Sequence, residues 1–145
     1  MVAEPVRSAQ ADLYLRTCIM ATPVFDWSEY LRLAKQLAAN PDEASQRSSI
    51  SRAYYCVYHK ALERAVSNGY VDPKSHWKLW VLYDRNADRA CRKLSNIGSR
   101  MQKERVDADY DSAATRIAER MNVQLNRASD FLTRLSALAP RLPVS

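Results

Sequence analysis

The chain predicts an all-α fold, an up-and-down helical bundle of four main helices plus a short helix. Three observations lead there. Only two glycines, Gly69 and Gly98, occur in 145 residues, too few for a turn-rich β fold or a glycine-rich phosphate loop. Apolar residues recur at i, i+3, i+4 and i+7 through several long segments, the pattern of helices facing a core. Helix breakers punctuate those segments at Asn40-Pro41-Asp42, Asn68-Gly69 and Pro140. One domain is the expectation for this length, and it would bury about 70% of its unfolded surface.

Residues 1–24 read as an N-terminal extension. Pro5 and Pro23 bracket a short possible helix, a frayed tail is the simpler reading, and Met20 offers an alternative start. The first main helix is predicted from about Asp26 to Ala39. Asp26 and Glu29 have capping-box spacing, and Tyr30, Leu31, Ala34, Leu37 and Ala38 form the apolar face. Pro41 ends it, since proline disfavours helix in the residue before it.

The second helix is predicted from about Asp42 to Ser67. Its stripe is Ile50, Ala53, Tyr54, Val57, Tyr58, Ala61, Leu62 and Ala65. At about 100° per residue, Arg52, Tyr55, Cys56, His59 and Glu63 fall on the opposite side. A solvated face is ordinarily Lys, Glu and Gln, whereas cysteine is among the most buried residue types. A second buried face, covered by another subunit, is therefore expected.

Asp72-Pro73 restarts the chain, with Asp72 as cap and proline in the first turn of a short third helix. His76, Leu79, Trp80 and Tyr83 share one of its faces. His76 beside two tryptophans reads first as a packed, hydrogen-bonded residue, with a phosphate or base contact as the alternative. The tryptophans read as core. In the fourth helix, Arg85, Arg89, Arg92, Lys93, Arg100 and Lys103 lie within about 100° of one another. Residues 71–105 hold nine Lys/Arg against four Asp/Glu. Such a stripe suits nucleic-acid phosphates; a plain soluble face is the alternative. Arg85, Arg89, Arg92 and Lys93 are the candidate RNA contacts. The last helix is predicted from about Asp111 to Leu138. Its stripe runs from Ala114 and Ile117 to Leu132 and Leu135, with Arg116, Arg120, Arg127 and Arg134 on another face. The domain is placed at residues 25–139, with 140–145 as a tail.

Composition narrows the function. The formal charge is +6. Cys18, Cys56 and Cys91 are odd in number and contain no Cys-x-x-Cys pair, so neither a disulfide framework nor a zinc site is expected. Reduced thiols in the cytosol are the simple reading. Leu13 to Met20 is broken by Arg16 and too short to span a membrane. No metal, no cofactor and no membrane association are expected, and the protein is read as cytoplasmic.

The candidate site is Arg52 and His59, with Tyr55 between them. A separation of seven places both on one helical face. Arginine stays cationic and histidine titrates near neutral pH, so the pair could hold a phosphate and move a proton beside it. The plain alternative is that Arg52 pairs with an acid and His59 with Glu63 one turn on.

The run Ser51-Arg52-Ala53-Tyr54-Tyr55 followed by His59 resembles the HEPN family (higher eukaryote and prokaryote nucleotide-binding). Phe25-Asp26-Trp27, His76-Trp77-Lys78-Leu79-Trp80 and Arg105 to Asp111 are similar to further family features in the same order. The resemblance covers roughly residues 25 to 138. It implies a helical homodimer and, in many members, a metal-independent endoribonuclease acting as a toxin or defence component. In those, an arginine and a histidine separated by four to six residues meet across the dimer; here six intervene. Arg52 would stabilise the transition-state charge, His59 would serve as general base or acid, and Tyr55 would orient the phosphate. Ala53 departs from the polar residue that active members often carry after the arginine. The other function the resemblance implies is a nucleotide- or RNA-binding module with a partner, such as an antitoxin or a nucleotidyltransferase. Ala61 stands where some members carry a nucleotidyl-accepting tyrosine.

Overall fold

A computed structural model describes residues 24–144, and its five helices are joined without any strand among the described residues. They are α1 (Ser28–Ala38), α2 (Glu43–Ser67), α3 (His76–Asp84), α4 (Arg89–Tyr110) and α5 (Ile117–Ala137). The chain is an all-α helical bundle. The extension expected over residues 1–24, Val24 apart, lies outside the described residues. No helix of the described residues is long and apolar enough to cross a membrane.

Helix α2 is the hub, packing on α1, α4 and α5 and more lightly on α3. Asp42 caps it, its carboxylate accepting from the Ser45 amide at 2.9 Å. Seven of its eight predicted stripe residues, from Ile50 to Ala65, are buried. The main core gathers Tyr54, Val57, Leu79, Trp80, Tyr83, Leu94, Met101 and Phe131. Polar ties cross it. Buried Gln124 of α5 donates to the Met101 carbonyl of α4 at 3.0 Å and the Ile50 carbonyl of α2 at 3.4 Å. Arg120 of α5 grips Glu104 and Asp107 of α4 at 2.6 and 2.7 Å.

Several helix starts differ from the sequence expectation. Trp27 holds the N-cap position of α1 without a side-chain bond. The Asp26–Glu29 capping box does not form, because Asp26 accepts from the Ser28 amide and pairs with Lys60 of α2. Helix α3 begins at His76, capped by Ser75 rather than Asp72. Asp72 instead accepts from the Lys74 amide at 2.8 Å, and Lys74 is left-handed, at φ 58, which cannot continue a helix. Arg85 is the C-cap of α3, and Asp88 caps α4, so the predicted basic stripe does not lie on one helix. Helix α5 begins at Ile117 and not at Asp111. Asp111 turns back on the Ala113 amide, and Arg116 is left-handed, at φ 59.

Residues 140–144 are docked rather than trailing. Leu142 is buried in the main core. Its carbonyl accepts from Arg64 at 3.0 Å, and the Pro143 carbonyl accepts from Asn86 at 2.6 Å. The compact unit therefore extends past 139.

Candidate functional site

The second buried face of α2 is covered by the chain itself. Cys56 is fully buried, and Ser49 of the same flank donates to the Ala34 carbonyl of α1 at 2.7 Å. Burial pushes the Cys56 thiol up to about 11, the behaviour of an inert structural cysteine. The expectation that another subunit covers Cys56 is thus corrected: α1 does so. It leaves Arg52, Tyr55 and His59 partly exposed beside it.

These three side chains do come together. The Arg52 guanidinium carbon lies 4.9 Å from the Tyr30 ring centre and 5.1 Å from that of Tyr55. Among the described residues it forms no ion pair and no hydrogen bond, so the simple arginine–acid pairing is absent. Glu63 pairs with Lys60, not with His59. His59 instead lies flat on Trp27, with ring centres 3.5 Å apart and planes 8° apart. Its nitrogens have no hydrogen-bond partner among the described residues. A stack covers the faces of an imidazole and leaves its nitrogens, which point along the ring edge, free to meet a ligand. Burial, and then the charge of Arg52, lowers the His59 pKa.

The same face is extended from two other helices. His76 at the start of α3 stacks on Tyr58, with ring centres 3.8 Å apart and planes 7° apart. Its Nδ1 is 2.6 Å from the Tyr54 hydroxyl, which in turn receives the Trp80 indole N–H at 3.3 Å. The reading of His76 as packed and hydrogen-bonded agrees with this. Arg105 of α4 lies 5.4 Å from the Tyr55 ring centre and 5.6 Å from that of Tyr54. Its side chain is 11% exposed, and its Nε is buried with no hydrogen-bond partner. The nearest carboxylate, Asp109, is 3.9 Å away and already accepts from Ser51 at 3.1 Å. Two arginines and two histidines therefore border a wall of tyrosines, and among the described residues no carboxylate accepts a hydrogen bond from either arginine. Among the described residues, no group of three His, Cys, Asp or Glu side chains is placed to hold a metal ion.

Trp80 is core, but Trp77 is 66% exposed, a correction to its expected role. It borders a concavity of about 630 Å³ with Tyr70, Lys78, Arg85 and Pro143. Arg89, Arg92 and Lys93 are exposed on α4. On a helical wheel they lie roughly opposite Arg105, so the basic stripe and the Arg52–His59 face point different ways.

Comparison with protein-family models, with curated proteins and with solved structures finds no match to this chain. The site rests on its own geometry. Arg105, Trp27 and Tyr30 were not singled out as site residues from sequence. The usable signal for Arg105 was its phase: it falls on the apolar side of α4, between Met101 and Ala108, where an arginine needs a reason.

Proposed function

We propose that the protein is a metal-independent endoribonuclease of HEPN type, with a role as a toxin or defence component, acting at Arg52, His59 and Tyr55. The observation that carries this reading is an arginine with no acidic partner among the described residues beside a histidine stacked on Trp27, whose pKa burial lowers. Neutral His59 accepts the proton of an RNA 2′-hydroxyl as the 2′-oxygen attacks the adjacent phosphorus. The bond to the 5′-oxygen breaks, and that oxygen takes a proton from a second acid or from water. The products are a 2′,3′-cyclic phosphate and a 5′-hydroxyl. Arg52 stabilises the extra charge of the phosphorane-like transition state, and the Tyr55 hydroxyl orients the phosphate.

A homodimer belongs to this proposal. Pairing through the exposed part of the Arg52–His59 face would bring two copies of each group into one cleft. Light scattering on the purified chain should give about twice 16.6 kDa. Mixed Arg52→Ala and His59→Ala chains should recover part of the activity if the cleft is composite.

The expected result is cleavage that persists in EDTA and falls ~100- to 10,000-fold in His59→Ala and Arg52→Ala, with helicity intact. Wild-type protein that leaves every tested RNA whole but binds it would replace this reading with the second one. That second reading is a nucleotide- or RNA-binding module working with an antitoxin or nucleotidyltransferase partner. It is favoured by Ala53, which is fully buried and offers the site no polar group.

A further inference from the structure

We infer that Arg105 and His76 form a phosphate subsite beside Arg52 and His59, one that grips the RNA backbone and holds it against the tyrosine wall. The inference extends the proposed ribonuclease site, but its first observation is independent of any reaction. An arginine side chain buried to this depth ordinarily has its donors satisfied, because an unpaired buried charge is costly. Arg105 has no hydrogen bond among the described residues, and its only carboxylate neighbour, at 3.9 Å, is beyond hydrogen-bonding distance. Its Nε alone is enclosed; its outer nitrogens are not among the buried unpartnered atoms, so they reach the surface. A guanidinium fixed over two tyrosine rings with its fork turned outward suits a phosphate, which accepts two parallel N–H bonds.

His76 supplies the second observation. The Tyr54 oxygen receives the Trp80 N–H, and its own hydrogen has one described acceptor, His76 Nδ1. That arrangement makes Nδ1 an acceptor and places the imidazole hydrogen on Nε2. Protonating Nδ1 would leave the Tyr54 hydroxyl without its acceptor, so the network holds the ring neutral. Burial and the charge of Arg105 act in the same direction. His76 is thereby a fixed neutral N–H donor rather than an acid. The stack on Tyr58 locks its plane. Charges of the other sign near this site come from Asp109 on α4 and Asp72 before α3. Asp109 is bonded by Ser51 and Asp72 pairs with Lys74; Asp109, 3.9 Å from Arg105, tempers its charge but occupies none of its N–H donors.

The probes are inorganic phosphate and a 2′-O-methyl oligoribonucleotide, which carries phosphodiesters but has no free 2′-hydroxyl to react. Histidine nitrogen NMR on the full chain should show His76 as the Nε2–H form and should move that signal when either probe is added. Preference for the oligonucleotide over free phosphate identifies the backbone as the ligand; the reverse preference would overturn the backbone assignment. Arg105→Gln and His76→Phe should each weaken oligonucleotide binding about 10- to 100-fold, the cost of losing charge-assisted bonds. His76→Gln, whose amide can donate from a similar place, should lose less. Arg105→Lys guards against misfolding, since it keeps the charge but lacks the fork, and should bind between wild type and Arg105→Gln. Unchanged affinity in folded variants, or a His76 signal that stays still while the probe binds, would overturn the subsite. Wild-type binding without cleavage would overturn only the ribonuclease reading.

Discussion

His59 lies flat on Trp27, which supplies part of the cover that buries the ring. Burial is the larger cause of its lowered pKa and Arg52 the smaller. Trp27→Leu removes most of the flat cover and keeps an apolar side chain. The His59 pKa should then rise toward the ordinary value of about 6.5, as followed by NMR. No change would show that the Trp27 ring is not the source of the burial that lowers it. Stability carries the same signature. Both histidines have pKa values below those of the unfolded chain, so on acidification the unfolded chain takes up protons first. Their contribution is full above about pH 6.5 and is lost as pH falls from there through the folded values. Denaturant midpoints measured from pH 7.5 to 5 should fall, and the fall should be smaller in His59→Gln. The Arg52–Tyr55–His59 face was legible in sequence because helical spacing fixes it. Its cover was not, since Trp27 lies on another helix and periodicity is silent about which helix packs on which.

Two arginines at opposite ends of α2 close the ends of two other helices. Arg64 donates to the carbonyls of Leu135, Leu138, Ala139 and Leu142, at distances from 2.7 to 3.2 Å. Arg47 donates to the carbonyls of Ala108 and Asp111 at 3.0 and 2.8 Å. Each thereby satisfies carbonyls that a helix C-terminus leaves open and complements its dipole. Arg64→Met keeps the stem but not the donors, and should cost about 2–3 kcal/mol, read from chemical denaturation. Gly98 answers a different need. A Cβ there would sit 2.5 Å from the Trp80 ring, so the glycine lets α3 and α4 meet closely. Gly98→Ala should cost about 1–3 kcal/mol by overpacking, despite its better helix propensity; a gain in stability would show that the indole moves aside easily. The helix interiors were readable from their apolar stripes. The starts of α3 and α5 were not, because the residues that break the chain there, Lys74 and Arg116, adopt a left-handed backbone usually taken by glycine.

At the scale of the whole molecule, positive charge is divided between two sides of α4. Arg105 faces the tyrosines, while Arg89, Arg92 and Lys93 lie roughly opposite, exposed. A single straight strand cannot touch both at once. If RNA is the ligand, the outer stripe must act on a remote part of it, by attraction and not by chemistry. The sequence overstated this stripe by joining Arg85 to it, since an unbroken wheel takes no account of the turn at Asn86-Ala87-Asp88. Replacing Arg89, Arg92 and Lys93 together with Gln removes three positive charges without introducing repulsion, and the side chains are exposed, so folding should persist. Binding of a long RNA should weaken, and its log-affinity against log-salt slope should flatten by about 0.7 for each phosphate no longer neutralised. Binding of a dinucleotide, too short to reach from one side of the helix to the other, should be unchanged, as should the cleavage rate at saturation. Equal loss for long and short RNA would mean that the stripe and the Arg52–His59 face form one surface, contrary to their placement. No loss for either would assign the stripe to solubility alone.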